Sequence, residues 1–110
     1  MATGRRRLSG RLSTPVTIIK QMGITHAEFV RLLPRALKSH HFMVHNNTTV
    51  RVEGGHGKHI EIELGPEQVR QIALMRIATT AVTLSFSGYT EDEQKAFLEQ
   101  FDRAYHRGGG

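Results

Sequence analysis

The residues with the most chemical capacity gather around one short stretch, EGGHGKH, running from Glu53 to His59. It offers three glycines, two imidazoles, an ammonium and a carboxylate. Three chemistries suit such a set: a phosphate cradle, part of a metal site, or a tight turn. A phosphate loop of the GxxxxGK type needs a hydroxyl residue after the lysine and a helix after the loop. Here His59 follows Lys58, Val52 stands where the earlier glycine is required, and strand-like sequence follows. No helix N-terminus is present to receive a pyrophosphate either. The cradle reading fails.

The turn reading follows from strand register. TTVRVE (48–53) and KHIEIEL (58–64) alternate apolar and polar residues, and HHFMVH (40–45) precedes them. Keeping one apolar face together sets Val52 opposite Ile60, Val50 opposite Ile62, Val44 opposite Val50 and Phe42 opposite Val52. That register puts Glu53 opposite His59 and Arg51 opposite Glu61, joined by a short glycine-rich connection that uses positive φ angles. It also aligns His41, Glu53 and His59 in one outer-face row, the ligand types of a zinc-like ion. His40 and His56 stand nearby. The same row is equally an ordinary solvated charge cluster, and its outer histidines lie about 10 Å apart in a flat sheet.

A second constellation is cationic. Five of the fifteen Lys and Arg residues, Arg5, Arg6, Arg7, Arg11 and Lys20, precede the first acidic residue, Glu28. The rest of the chain then balances ten basic against ten acidic groups. The net charge of +5 is therefore a basic front end on a neutral domain. Arg31, Arg35 and Lys38 fall on one helical stripe and extend it. Arg5, Arg6, Arg7, Arg11, Arg31, Arg35 and Lys38 are thus the candidate nucleic-acid contacts, although no aromatic stacking motif accompanies them.

Catalytic signatures are sparse. Ser85 and Ser87 lie in SFSG without a GxSxG elbow, and Glu61 and Glu63 read as the exposed half of an amphipathic strand. With no Cys in the chain, thiol nucleophiles, Cys-ligated metals and disulfides are excluded. Its absence is compatible with a reducing compartment, and a cytoplasmic location is expected. No run approaches the roughly 20 apolar residues of a membrane span, and no membrane partner is expected.

The elements that position these residues form one domain. Residues 1–15 read as a disordered basic tail, 16–107 as a single α+β domain, and 108–110 as a frayed C-terminus. VTII (16–19) fits an edge strand or a docked extension. Thr25 and Glu28 have capping-box spacing and open a helix, with Pro34 inside it. After the three strands, Gly65-Pro66-Glu67 predicts a second helix whose buried stripe is Val69, Ile72, Ala73 and Ile77. AVTLSFSG (81–88) is a fourth strand, which the second helix would bring in as a crossover. Thr90 and Glu93 cap a last helix over about 91–106. The expected order is α-β-β-β-α-β-α: a three-strand antiparallel meander plus a fourth strand, with helices packed on one sheet face.

The expected function is that of a small soluble non-enzymatic binding or adaptor protein without a cofactor. Its expected partner is another protein, with monomer and homodimer both open. Nucleic-acid binding through the basic third is the alternative, and metal binding through His41, Glu53 and His59 a second alternative.

Overall fold

Alternating strands and two capped helices assemble into a six-stranded antiparallel sheet with both helices on one face. The computed structural model describes residues 16–38 and 40–109. The tail at 1–15, with Arg5, Arg6, Arg7 and Arg11, lies outside them. The elements are β1 (Val16–Met22), α1 (His26–Ala36), β2 (His41–His45), β3 (Thr49–Gly55), β4 (Lys58–Leu64), β5 (Gln68–Ile72), β6 (Met75–Ser87) and α2 (Glu91–Gly109). The strands run β1-β6-β4-β3-β2 across the sheet, and β5 pairs with the first part of β6.

The α+β class and the meander hold, and its register is the one the alternation requires. Val52 faces Ile60, Val50 faces Ile62, Phe42 faces Val52 and Val44 faces Val50. Val50, Val52, Ile60, Ile62, Val82, Leu84 and Phe86 are almost wholly buried on the face turned to the helices. There they meet Phe29 and Leu33 of α1 and Phe97 and Phe101 of α2. Phe29 stacks on Tyr105 with ring centres 4.8 Å apart. The Tyr105 hydroxyl donates to the Phe29 carbonyl at 2.8 Å, fixing α2 against α1.

Both capping signals work. Thr25 Oγ1 accepts the Glu28 amide at 3.1 Å. Thr90 and Glu93 bond reciprocally, at 2.9 and 3.1 Å. α2 runs to Gly109, past the expected end near 106. Pro34 sits in the last turn of α1, where the helix continues through it to Ala36.

Residues 66–77 depart from expectation. The helix predicted there is a β-hairpin, with Val69 opposite Ala78, Arg70 opposite Ile77 and Ile72 opposite Met75. The physical reason lies in β6. It begins at Met75, well before the expected start at 81, and runs thirteen residues, about 43 Å. Its first part extends past the ends of β1 and β4, leaving backbone groups that β5 pairs. The β-branched Val69, Ile72 and Ile77 suit that pairing. The crossover is likewise absent: β6 is antiparallel to β4 on one side and to β1 on the other.

The hairpin makes the molecule long. The principal extents are 62 × 26 × 26 Å and the radius of gyration is 16.1 Å, against about 13 Å for a compact chain of 100 residues.

Candidate functional site

The glycine stretch is a turn, with a feature that periodicity does not show. Glu53 pairs with His59, then the register shifts so that Gly55 pairs with Lys58. Gly54 is the extra residue of a β-bulge. His56 and Gly57 form the tip at φ 53° and 82°, the positive pair of a type I′ connection. Gly54 itself is needed for close approach: a Cβ there would overlap the Tyr89 hydroxyl and lie 3.3 Å from Lys58 Cβ. Lys58 Nζ sits 5.1 Å from the centre of the Tyr89 ring and 3.0 Å from Glu93 Oε2. The Tyr89 hydroxyl is buried without a hydrogen-bond partner among the described residues. Burial pushes its pKa up, and the carboxylates of Glu93 and Glu53 add to the shift.

The outer-face row is aligned as the register requires, with His41 beside Glu53 and Glu53 beside His59. Ser87 continues it, opposite His59 on β6. An acid–imidazole–hydroxyl order therefore lies across three strands, which spacing along the chain does not reveal. None of these side chains hydrogen-bonds to the next among the described residues. Glu53 turns instead to Arg51, whose Nε donates to it at 2.9 Å and whose Nη1 donates to Glu61 at 3.0 Å. These bonds, Glu53 first, raise the Arg51 pKa above its usual value. Among the described residues no three His, Asp or Glu side chains converge as a metal would need. Two strand steps separate His41 from His59, and Arg51 already neutralises the carboxylate between them.

Arg31 and Arg35 are exposed on the solvent side of α1, as the helical stripe predicts, whereas Lys38, also exposed, lies in the turn beyond the helix end at Ala36. Arg31 Nη2 lies 4.0 Å from Glu28. Lys20 does not join them; it forms an ion pair with Asp102 of α2 at 3.1 Å.

The feature that sequence reasoning missed is the β5–β6 arm. Every β5 residue is exposed. Val69 is 59% exposed, Ile72 52%, Leu74 97% and Met75 63%. The turn at its tip places Ala73 at φ 54°, a conformation that costs a residue with a Cβ about 1 kcal/mol. The base is firmly held. The Thr80 hydroxyl donates to the Ile24 carbonyl at 2.8 Å within the core. Glu67 accepts the first amide of α1 from His26 at 2.7 Å, where helix-end partial charge favours an anion. His26 Nε2 lies 2.7 Å from the Gly65 carbonyl, to which it donates. A rigid base thus carries a ribbon whose apolar side chains face water.

Comparison with known proteins finds no matching family, no matching characterised protein and no matching solved structure. Among the described residues no helix is long and apolar enough to cross a membrane.

Proposed function

We propose that this chain is a small non-enzymatic binding or adaptor protein that engages its partner through the β5–β6 arm. The observation that carries this reading is the exposure of Val69, Ile72, Leu74 and Met75 on one uncovered ribbon. A two-stranded hairpin is marginal in water by itself, and contiguous exposed apolar surface marks interaction sites. Burying a side chain of this kind contributes about 1.5–3 kcal/mol. Scaled by the exposures of Ile72, Leu74 and Met75, which sit together at the tip while Val69 lies on the other face, the arm offers about 3–6 kcal/mol to a partner. That is comparable to the entropic cost of association, so a complementary partner surface has to supply the surplus. A cytoplasmic location belongs to the same proposal.

Native mass spectrometry of the gently purified full chain tests it, beside a double variant Leu74→Ser, Met75→Ser. Bound macromolecule, whether a second copy or another chain, is expected with the natural sequence and lost in the variant. A natural chain that carries nothing, or a partner retained equally by the variant, overturns the reading.

A second reading, nucleic-acid binding, is favoured by the exposed Arg31–Arg35–Lys38 stripe together with the tail arginines. It predicts binding to RNA or DNA that weakens steeply between two salt concentrations, and more weakly still after all three are changed to Ser.

A further inference from the structure

The arm sorts its side chains along its length. Four consecutive apolar residues, Ile72 to Met75, form the tip, and Leu74 is 97% exposed. Residues 68–90 hold two arginines, Arg70 and Arg76, and no carboxylate. Both are exposed, and neither has an ion-pair partner among the described residues. Ile72 is opposite Met75 and Gln71 opposite Arg76. Strand alternation therefore puts Arg70 on the face of Ile72 and Met75, and Arg76 with Gln71 on the other face. One cation stands on each face, one or two residues or about 3–7 Å behind the Ile72–Met75 pair. The root brings no net charge to oppose them. Lys20 is paired with Asp102 at 3.1 Å, Arg103 shares the neighbouring cleft with Glu99, and Glu67 is bonded to the His26 amide at 2.7 Å.

A one-sided docking surface gathers its contacts on one face. An apolar end with a cation on each face behind it suits a partner that flanks the tip with negative charge on two sides. The major groove of duplex DNA is such a partner. It is about 12 Å wide and 8.5 Å deep, admits a two-stranded ribbon, runs between two phosphate backbones, and shows thymine methyl groups on its floor. Five register pairs make the arm about 17 Å long, so its tip reaches that floor before the sheet meets the backbones. Ile72, Leu74 and Met75 then lie against the base edges, and one guanidinium points to each wall. The other long polar side chains of the arm, Gln68 and Gln71, are amide forks of the kind that pair with adenine. An acidic bilayer fits less well, because the arm has no Trp or Tyr to sit at the headgroup level. The net charge of +5 draws the whole chain toward a polyanion.

We propose that the arm's partner is duplex DNA, entered tip first through the major groove, with Arg70 and Arg76 on opposite phosphate walls. The proposal rests on the arm being the binding element.

Fluorescence anisotropy of a short labelled DNA duplex, titrated with the full chain at several salt concentrations, tests this. The natural chain should bind, with log affinity falling linearly in log salt. Arg70→Gln, Arg76→Gln should bind at least about tenfold more weakly and flatten the salt slope by about 2. Leu74→Ser, Met75→Ser should weaken binding and leave the slope as it was, because no charge is removed. All four positions are exposed, and far-UV dichroism should be unchanged in both variants. An RNA duplex of the same sequence should bind at least about tenfold more weakly than DNA, because its major groove is too narrow to enter. RNA bound as well as DNA, or DNA bound equally by the natural chain and both arm variants, refutes the proposal. If the natural chain ignores DNA but holds anionic vesicles or another protein that Leu74→Ser, Met75→Ser releases, the DNA assignment falls and the arm remains the binding element. If that variant leaves every bound state unchanged, the underlying reading falls with the proposal.

Discussion

Replacing Gly54 with alanine puts a methyl group where the Tyr89 hydroxyl lies. The new Cβ would overlap that oxygen, stand 3.1 Å from the ring carbon bearing it, and stand 3.3 Å from Lys58 Cβ. Tyr89 has little room to retreat. Its ring packs edge-on against buried Phe86 at 5.5 Å, and Lys58 lies over it, held by Glu93. Overpacking of this kind costs about 1–3 kcal/mol. Tyr89→Phe removes the atom in conflict and also a buried hydroxyl with no partner among the described residues. Alone it should be neutral or stabilising by up to about 1 kcal/mol. The double variant should recover at least about 1 kcal/mol of the Gly54→Ala loss, a coupling expected of groups in direct contact. Gly57→Ala is the contrast: nothing stands near a Cβ there, but φ is +82°. It should cost about 1 kcal/mol through backbone strain and show no coupling to Tyr89→Phe. Urea unfolding of the six chains, the natural one, the three single variants and the two double variants with Tyr89→Phe, reads all of this, with about 4–8 °C in Tm per kcal/mol as a check. A Gly54→Ala chain as stable as the natural one, or a Gly54–Tyr89 coupling near zero, would refute the contact.

Other outcomes follow from the same structure. Thr80→Val is nearly isosteric but deletes the buried bond to the Ile24 carbonyl, so it should cost about 1–3 kcal/mol in urea unfolding. Acid should destabilise the fold in two windows. Burial first, and the nearby Lys58 charge second, hold the His40 pKa below 6.5. The folded chain therefore takes up that proton later than the unfolded chain, and stability present above about pH 6.5 falls as pH drops through the folded value. Glu93, lowered chiefly by its bond to the Thr90 amide and then by Lys58, adds a loss of the same sign below about pH 4.5. His40→Gln should remove the first window and leave the second, as followed by Tm against pH. Zinc titration should give the same affinity for the natural chain and for His41→Ala, His59→Ala, because Arg51 holds the Glu53 carboxylate between them.

The sheet register was legible because alternation leaves a buried face only one solution; slipping by one residue would expose Val50, Val52, Ile60 and Ile62. The helix starts were legible because a cap is a local event, complete within four residues of Thr25 or Thr90. The arm was not. Val69, Ile72, Ala73 and Ile77 fit a helical stripe, and Pro66 with Glu67 makes a good helix start. What overrides them is distant: β6 offers an edge, and Glu67 is drawn away to cap α1 instead. The misreading is informative, because residues patterned for burial are the ones the fold leaves in water. The Tyr89–Gly54 contact was illegible for a related reason. Glycine in a turn is explained by the turn alone, and only the folded chain brings the hydroxyl to it. Of the row at His41, Glu53 and His59, the alignment was legible and the competing pull of Arg51 was not, since a guanidinium reaches neighbours on its own strand and the next.

If the arm engages a partner, it is covered when the protein is at work. Amide hydrogen exchange of residues 68–79 reads that cover in the gently purified full chain, with its partner bound and after the partner is stripped away, beside Leu74→Ser, Met75→Ser. Arm amides should be protected in the bound natural chain and should lose that protection on stripping and in the variant, while β3 and β4 stay protected throughout. Arm amides that exchange equally in both chains, bound or stripped, would refute the reading.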